Sequence, residues 1–123
     1  MKNKIVLLLY LIGFTLIAGG CASKVAPPVK EFSNAKIALA NAKEADAKTL
    51  APKPFEEAQK LYKKTQLLMD KKAYKKAKQS AEEAYIQAKL AYKKAKNAKV
   101  RKRVDQLSSE VNTIKKEFTT ISQ

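Results

Sequence analysis

The one cysteine, Cys21, is the side chain in this sequence best suited to covalent chemistry. A thiol can attack an electrophile, ligate a metal or carry an attached group. Zinc ligation would need further His or Cys partners, and the chain has no His and no second Cys. Nucleophilic catalysis would need a base beside the thiol, most often His. The adjacent carboxylates are Glu56-Glu57 and Glu82-Glu83. Neighbours on a helix point about 100° apart, so neither pair converges on one substrate atom or one metal ion. The expectation is no enzyme, no metal centre and no cofactor.

What precedes Cys21 gives it a different use. Lys2 and Lys4 open the chain, Ile5 to Ile17 is an apolar run, and the small residues Ala18, Gly19 and Gly20 follow. A positive start, a short apolar core and a small-residue zone describe a cleaved secretory signal over residues 1–20. The apolar run falls short of the roughly 20 residues a membrane span needs. Ala18-Gly19-Gly20-Cys21 resembles the lipobox of bacterial lipoproteins, with Ala18 where that family most often has Leu. The resemblance implies a diacylglyceryl thioether on Cys21, cleavage before it, and fatty-acyl (palmitate-type) modification of the new amino terminus. The competing account is an ordinary secretory signal with an incidental Cys. With lipid attached, Cys21 is spent as a nucleophile. Each buried methylene adds about 0.8 kcal/mol, so two or three chains hold the protein on a membrane where one would not. Ala22-Ser23 in place of Asp after the Cys resembles sorting to the periplasmic side of the outer membrane in Gram-negative cells. In a cell with one membrane the same anchor sits on its outer leaflet.

Every Gly lies before Cys21 and every Pro before Phe55, so from Phe55 to Gln123 the chain lacks both strong structure breakers. Ala, Lys, Glu, Gln and Leu dominate there, which predicts an all-α fold. Residues 21–30 read as the lipidated Cys and a tether, extended by Pro27-Pro28. Residues 31–99 read as an Ala-rich antiparallel hairpin or bundle of two or three helices. A first helix over about Glu31 to Lys48 places Ala35, Ala38, Ala42 and Ala45 on one face. Leu50-Ala51-Pro52-Lys53-Pro54 breaks the chain, and Pro54 suits the first position of the next helix. That helix carries Phe55, Ala58, Tyr62, Thr65 and Met69 in a stripe flanked by Leu61 and Leu68. The stripe loses step near Asp70-Lys71-Lys72. A hairpin turn there and one continuous rod from Phe55 to Ile121 are both open readings; the rod would reach roughly 100 Å. Beyond it, Ala77, Ala81, Ala84, Ala88, Ala91, Ala95 and Ala98 alternate in steps of four and three. Such small residues let another helix approach closely, with Tyr74, Tyr85 and Tyr92 bordering the stripe.

The same long helix carries a second stripe that continues into residues 100–123. Ile86, Leu90, Lys93, Asn97, Val100, Val104, Leu107, Val111, Ile114, Phe118 and Ile121 alternate four-three without a skip. In heptad terms Leu90, Asn97, Val104, Val111 and Phe118 occupy a, and the others d. A polar Asn among apolar a positions is a device for fixing register and oligomer state. The spacing therefore predicts a coiled-coil-like C-terminal helix whose seam meets a second copy or another helical envelope protein. The alternative is a tail folded back on its own bundle.

Leu50-Ala51-Pro52, Glu57-Ala58, Leu61 and then Ala73-Tyr74-Lys75-Lys76-Ala77 with Ala81, Ala84, Ala88 and Leu90-Ala91 resemble a domain-of-unknown-function family of small Ala-rich bacterial lipoproteins. The segment from Ala73 also resembles the second helix of a tetratricopeptide unit. Together the resemblances span about residues 31–98 and imply a helical hairpin turning near Asp70 to Ala73. The chain departs from the family in having Ala45-Asp46-Ala47 where a Gly is common, and in its tail from Val100.

Charge is the remaining signal. The formal charge is +15, and loss of Lys2 and Lys4 with the signal leaves about +13. The densest cluster is Lys99, Arg101, Lys102 and Arg103 around Val100. Such a field attracts anionic partners. Nucleic acid matches the charge but not an exported location, and no nucleic-acid partner is expected. Two functions follow as expectations. One is a membrane-anchored envelope lipoprotein acting as a structural or protein-interaction element through helical packing. The other is a module that binds peptidoglycan, teichoic polymers or lipopolysaccharide through its Lys/Arg surface.

Overall fold

A computed structural model describes residues 25–122, so the signal segment 1–20 and Cys21 lie outside the described residues. Four helices follow in order: α1 (Val29–Glu44), α2 (Ala47–Leu50), α3 (Pro52–Asp70) and α4 (Tyr74–Ile121). No strand occurs among the described residues, and the fold is all-α, as the composition predicts.

The core forms in layers where α1 and α3 lie on one face of α4 and touch each other less. Ala35, Leu61 and Ala84 make one layer, and Ala38, Ala58 and Ala88 the next. Ala42, Phe55, Ala91 and Ala95, with Ala45, Ala47 and Ala51, close the end. As residue numbers rise along α1 they rise along α4 and fall along α3. The topology is therefore up-down-up, with α3 antiparallel to both neighbours. Methyl groups meeting methyl groups permit this close approach, and each pair buries little apolar surface, so the fold relies on many such contacts.

The connections are built from left-handed residues. Helix α1 ends at Glu44, not Lys48, because Asp46 takes φ 61° and its N–H bonds the Lys43 carbonyl. One turn of α2 then carries the chain to Ala51, and Pro52, not Pro54, opens α3. Pro52 needs no donor there, since the first amides of a helix have no partner within it. Pro54 is buried in the same turn. At the other end the chain turns, so the single-rod reading does not hold. Lys72 sits at φ 56°, its N–H bonds the Met69 carbonyl, and the Ala73 N–H bonds the Leu68 carbonyl. This paired arrangement caps α3 without glycine. Near the turn, Thr65 is fully buried and its hydroxyl donates to the Leu61 carbonyl at 2.9 Å. Ser80 of α4 donates to the same oxygen at 3.1 Å, a polar tie between two helices. Leu61 is core rather than flank, while Tyr62 is half-buried and stacks on Phe32 at 4.7 Å.

Candidate functional site

Helix α4 is 48 residues long, about 72 Å at 1.5 Å per residue. The hairpin covers it only as far as Ala98. From Lys99 to Ser122 every residue is exposed, so about 35 Å of helix projects from the bundle. The tail does not fold back on its own bundle. Threonines at 113, 119 and 120 donate to the carbonyls four residues earlier, and none of these groups meets another helix.

The two stripes occupy different faces. Ala77, Ala81, Ala84, Ala88, Ala91 and Ala95 are all fully buried against α1 and α3. In the heptad frame they fall at b and f, about 150° around the helix from the a and d rows. Those rows stay open along their whole length. Ile86, Leu90, Val100, Val104, Leu107, Val111, Ile114, Phe118 and Ile121 are all exposed, from 40% at Leu90 to 85% at Ile121. Lys93 and Asn97 are also exposed in the same rows. The predicted seam residues thus all lie exposed along α4, with no other helix of the chain packed over them.

The candidate anion contacts sit at the root of this projection. Arg101, Lys102 and Arg103 are exposed, and the Lys99 ammonium pairs with the Asp46 carboxylate at the end of α1. That ion pair joins the α1–α2 corner to α4 where the bundle stops. At the other end, Lys78 approaches Glu31 at 3.4 Å. The Glu31 carboxyl is held below its ordinary pKa, first by a hydrogen bond from its own backbone N–H and then by Lys78.

A feature the sequence reading did not find lies between α1 and α4. Asn34, Ile37, Ala38 and Asn41 face Tyr85, Lys89 and Tyr92 across an open groove of about 370 Å³. The Lys89 and Lys96 ammonium groups lie 5.2 and 5.5 Å from the centres of the Tyr85 and Tyr92 rings. The signal was present as Asn and Tyr pairs seven residues apart, but it had meaning only once α1 was placed parallel to α4. No group of three His, Cys, Asp or Glu able to hold a metal occurs among the described residues. No helix among them is long and apolar enough to cross a membrane.

A family model described as a domain of unknown function (DUF4398) matches residues 30–107. The chain belongs to this family. The DUF4398 match takes in the whole three-helix bundle and stops at Leu107, part-way along the exposed seam. Neither a curated protein nor a solved structure matches the chain. The family description carries no activity, so function has to be argued from the seam and its surroundings.

Proposed function

We propose that this DUF4398 chain is a membrane-anchored envelope lipoprotein, held by lipid on Cys21, that acts as a structural or protein-interaction element. The observation that carries this reading is the uncovered apolar seam of α4, standing beyond a bundle that is already complete without it. Isolated apolar side chains on a surface are ordinary, whereas a contiguous row of them marks an interaction site. The bundle holds α4 at its N-terminal half, and the tail projects from the end of the bundle opposite the one the tether joins, so the seam would meet partners away from the anchoring membrane. No step of this reading needs catalysis.

A photo-reactive side chain placed at Leu107 in cells tests it, with Ser109 as the control on the opposite face. The seam position should give a discrete cross-linked product and the control should not. Equal yields from both would refute a seam. Cys21→Ser should independently release the chain from lipid labelling with palmitate, and unchanged labelling would remove the anchor from the reading.

The exposed Arg101-Lys102-Arg103 run supports a second reading, a binding module for anionic envelope polymers. Co-sedimentation with cell wall or lipopolysaccharide should then weaken as salt rises, because exposed charges are screened over about 10 Å at 0.1 M. Binding that ignores salt, or its absence at low salt, would rule this out.

A further inference from the structure

We infer that the occupant of the α4 seam is a second copy of this chain, parallel and in register, forming a two-stranded coiled coil through Leu90 to Ile121. The inference rests on the reading of the seam as a docking surface and names its partner.

The period is the first argument. A straight α-helix drifts about 20° per heptad against a strict seven-residue repeat. From Ile86 to Ile121 the four-three alternation spans five heptads without a skip. On a straight helix such a stripe would wander about 100° around the surface. It stays on one line only when the helix supercoils with another that carries the same repeat. A flat partner would not require that constancy.

Orientation follows from what each heptad position would meet. In a parallel, in-register pair, a faces a and d faces d. Asn97 then meets Asn97 of the second copy, where the two amides can hydrogen-bond each other. Reversing one strand places a against d, and Asn97 would lie against an apolar side chain with its amide unpaired. Val104 and Val111 at a with Leu107 at d match the two-stranded preference for β-branched a and Leu d, whereas Val100, Ile114 and Ile121 place β-branched residues at d, so two strands rest on the centre of the tail and on Asn97. Charge agrees. Glu110 at g reaches Lys115 at e of the second copy, and the contact occurs twice by symmetry. Reversal about the middle of the tail brings Glu110 against Glu110 and Arg101 toward Lys115. The like-charge approaches in the parallel pair, Lys93 to Lys93, Lys89 to Lys94 and Lys96 to Arg101, all lie at the bundle end of the seam around Asn97, where the apolar run is already interrupted.

The fold leaves room for this pairing. Helices α1 and α3 occupy the b and f side of α4, so two bundles would ride on the outer flanks of the pair. Both chains would also leave the pair on the same side, as two chains tethered to one membrane require. The seven apolar residues from Val100 to Ile121 are each more than half exposed. At roughly 60–120 Å² of apolar surface for a large side chain, two copies would bury on the order of 1,000 Å², where specific interfaces begin. Moreover, Val100, Val104, Val111, Thr113, Ile114, Thr119, Thr120 and Ile121 are β-branched. A lone helix so rich in them is marginal in water and needs packing to persist.

The test uses the full chain carrying Cys21→Ser, so that an introduced cysteine is the only thiol. Val100→Cys and Ile121→Cys, both at d and at opposite ends of the seam, are each oxidised beside Ser109→Cys at f. Each seam variant should form a disulfide-linked species of twice the chain mass at least tenfold more readily than the Ser109 variant. Sedimentation of the reduced protein should give the same doubled mass, with helix content by circular dichroism confirming that all variants fold. Linkage only in a mixture of Val100→Cys with Phe118→Cys would overturn the inference in favour of an antiparallel pair. A tripled mass, or a monomer with no seam-specific linkage, would also overturn it. If the inference fails while Leu107 still cross-links in cells to another protein, the seam remains an interaction surface with a different partner. Failure of both removes the seam itself.

Discussion

Substituting Ala88 by Leu probes the close approach of the three helices most directly. Ala88 is fully buried, and its layer consists of three methyl groups, those of Ala38, Ala58 and Ala88, one from each long helix. Leu adds three carbon atoms at a position that is already fully buried between two helices, so either α1 or α3 must move or the side chain must leave its preferred rotamers. Overpacking of this kind costs about 1–3 kcal/mol, and the high end applies because both buried neighbours, Ala38 and Ala58, are alanines on adjoining helices. At ~0.05–0.15 kcal/mol per residue, a bundle of about 70 residues is stable by only roughly 3–10 kcal/mol. A loss of 2–3 kcal/mol lowers Tm by about 10–20 °C in a domain of this size. Thermal melts followed by circular dichroism at low protein concentration would measure it, with Ala40→Leu, an exposed position on α1, as the control. The control should shift little. If Ala88→Leu melts with the control, the alanine face is not tightly packed, and the layered core described above is wrong.

Three smaller perturbations examine the turns and ties. Ser80→Ala removes the hydroxyl that donates to the Leu61 carbonyl and leaves that oxygen bonded by Thr65. It should cost about 0.5–1.5 kcal/mol by chemical denaturation, the net worth of one hydrogen bond; no change would mean the tie is not formed in solution. Lys72→Gly should raise stability by about 0.5–1 kcal/mol, since Gly holds the left-handed φ of 56° without a Cβ penalty, and a lower midpoint would contradict the turn. Glu31 has a folded-state pKa below its ordinary value. Its contribution is therefore present at neutral pH and lost as pH falls through that lowered pKa, below the usual carboxylate range. Stability curves of wild type and Glu31→Gln should separate at neutral pH and converge in acid. Parallel curves throughout would detach Glu31 from the fold.

The alanine stripe and the heptad seam were legible because both are periodic, and α4 reads the same period on two faces. The ends of the shorter helices were not. Asp46 ends α1 by taking a left-handed conformation that Asp tolerates and does not announce, so periodicity ran on to Lys48. Pro52 and Pro54 are both compatible with a first helical turn, and choosing between them required knowing that Pro54 is buried under the bundle. The turn at Lys71-Lys72-Ala73 left a rod open beside the expected hairpin, because its cap is made by backbone hydrogen bonds around a lysine. The Asn–Tyr groove depends on two helices lying side by side in the same direction, which no local pattern encodes.

Helix α4 places a small-residue face and a bulky face about 150° apart on one rod, and the two faces make opposite demands. Alanine packs two helices close with little side-chain entropy lost and little apolar surface gained. That suits a compact bundle whose helices are held by covalent turns. A partner arriving from solution must overcome lost translational freedom, a cost estimated at about 4–15 kcal/mol, and methyl groups alone would not offset it. Val, Leu, Ile and Phe can, and they are the residues on the open face. The division between the faces therefore matches the division between contacts made within the chain and contacts that must recruit another. Val100 to Ile121 would make poor use of the chain as a free helix, and its composition makes physical sense once that face is covered.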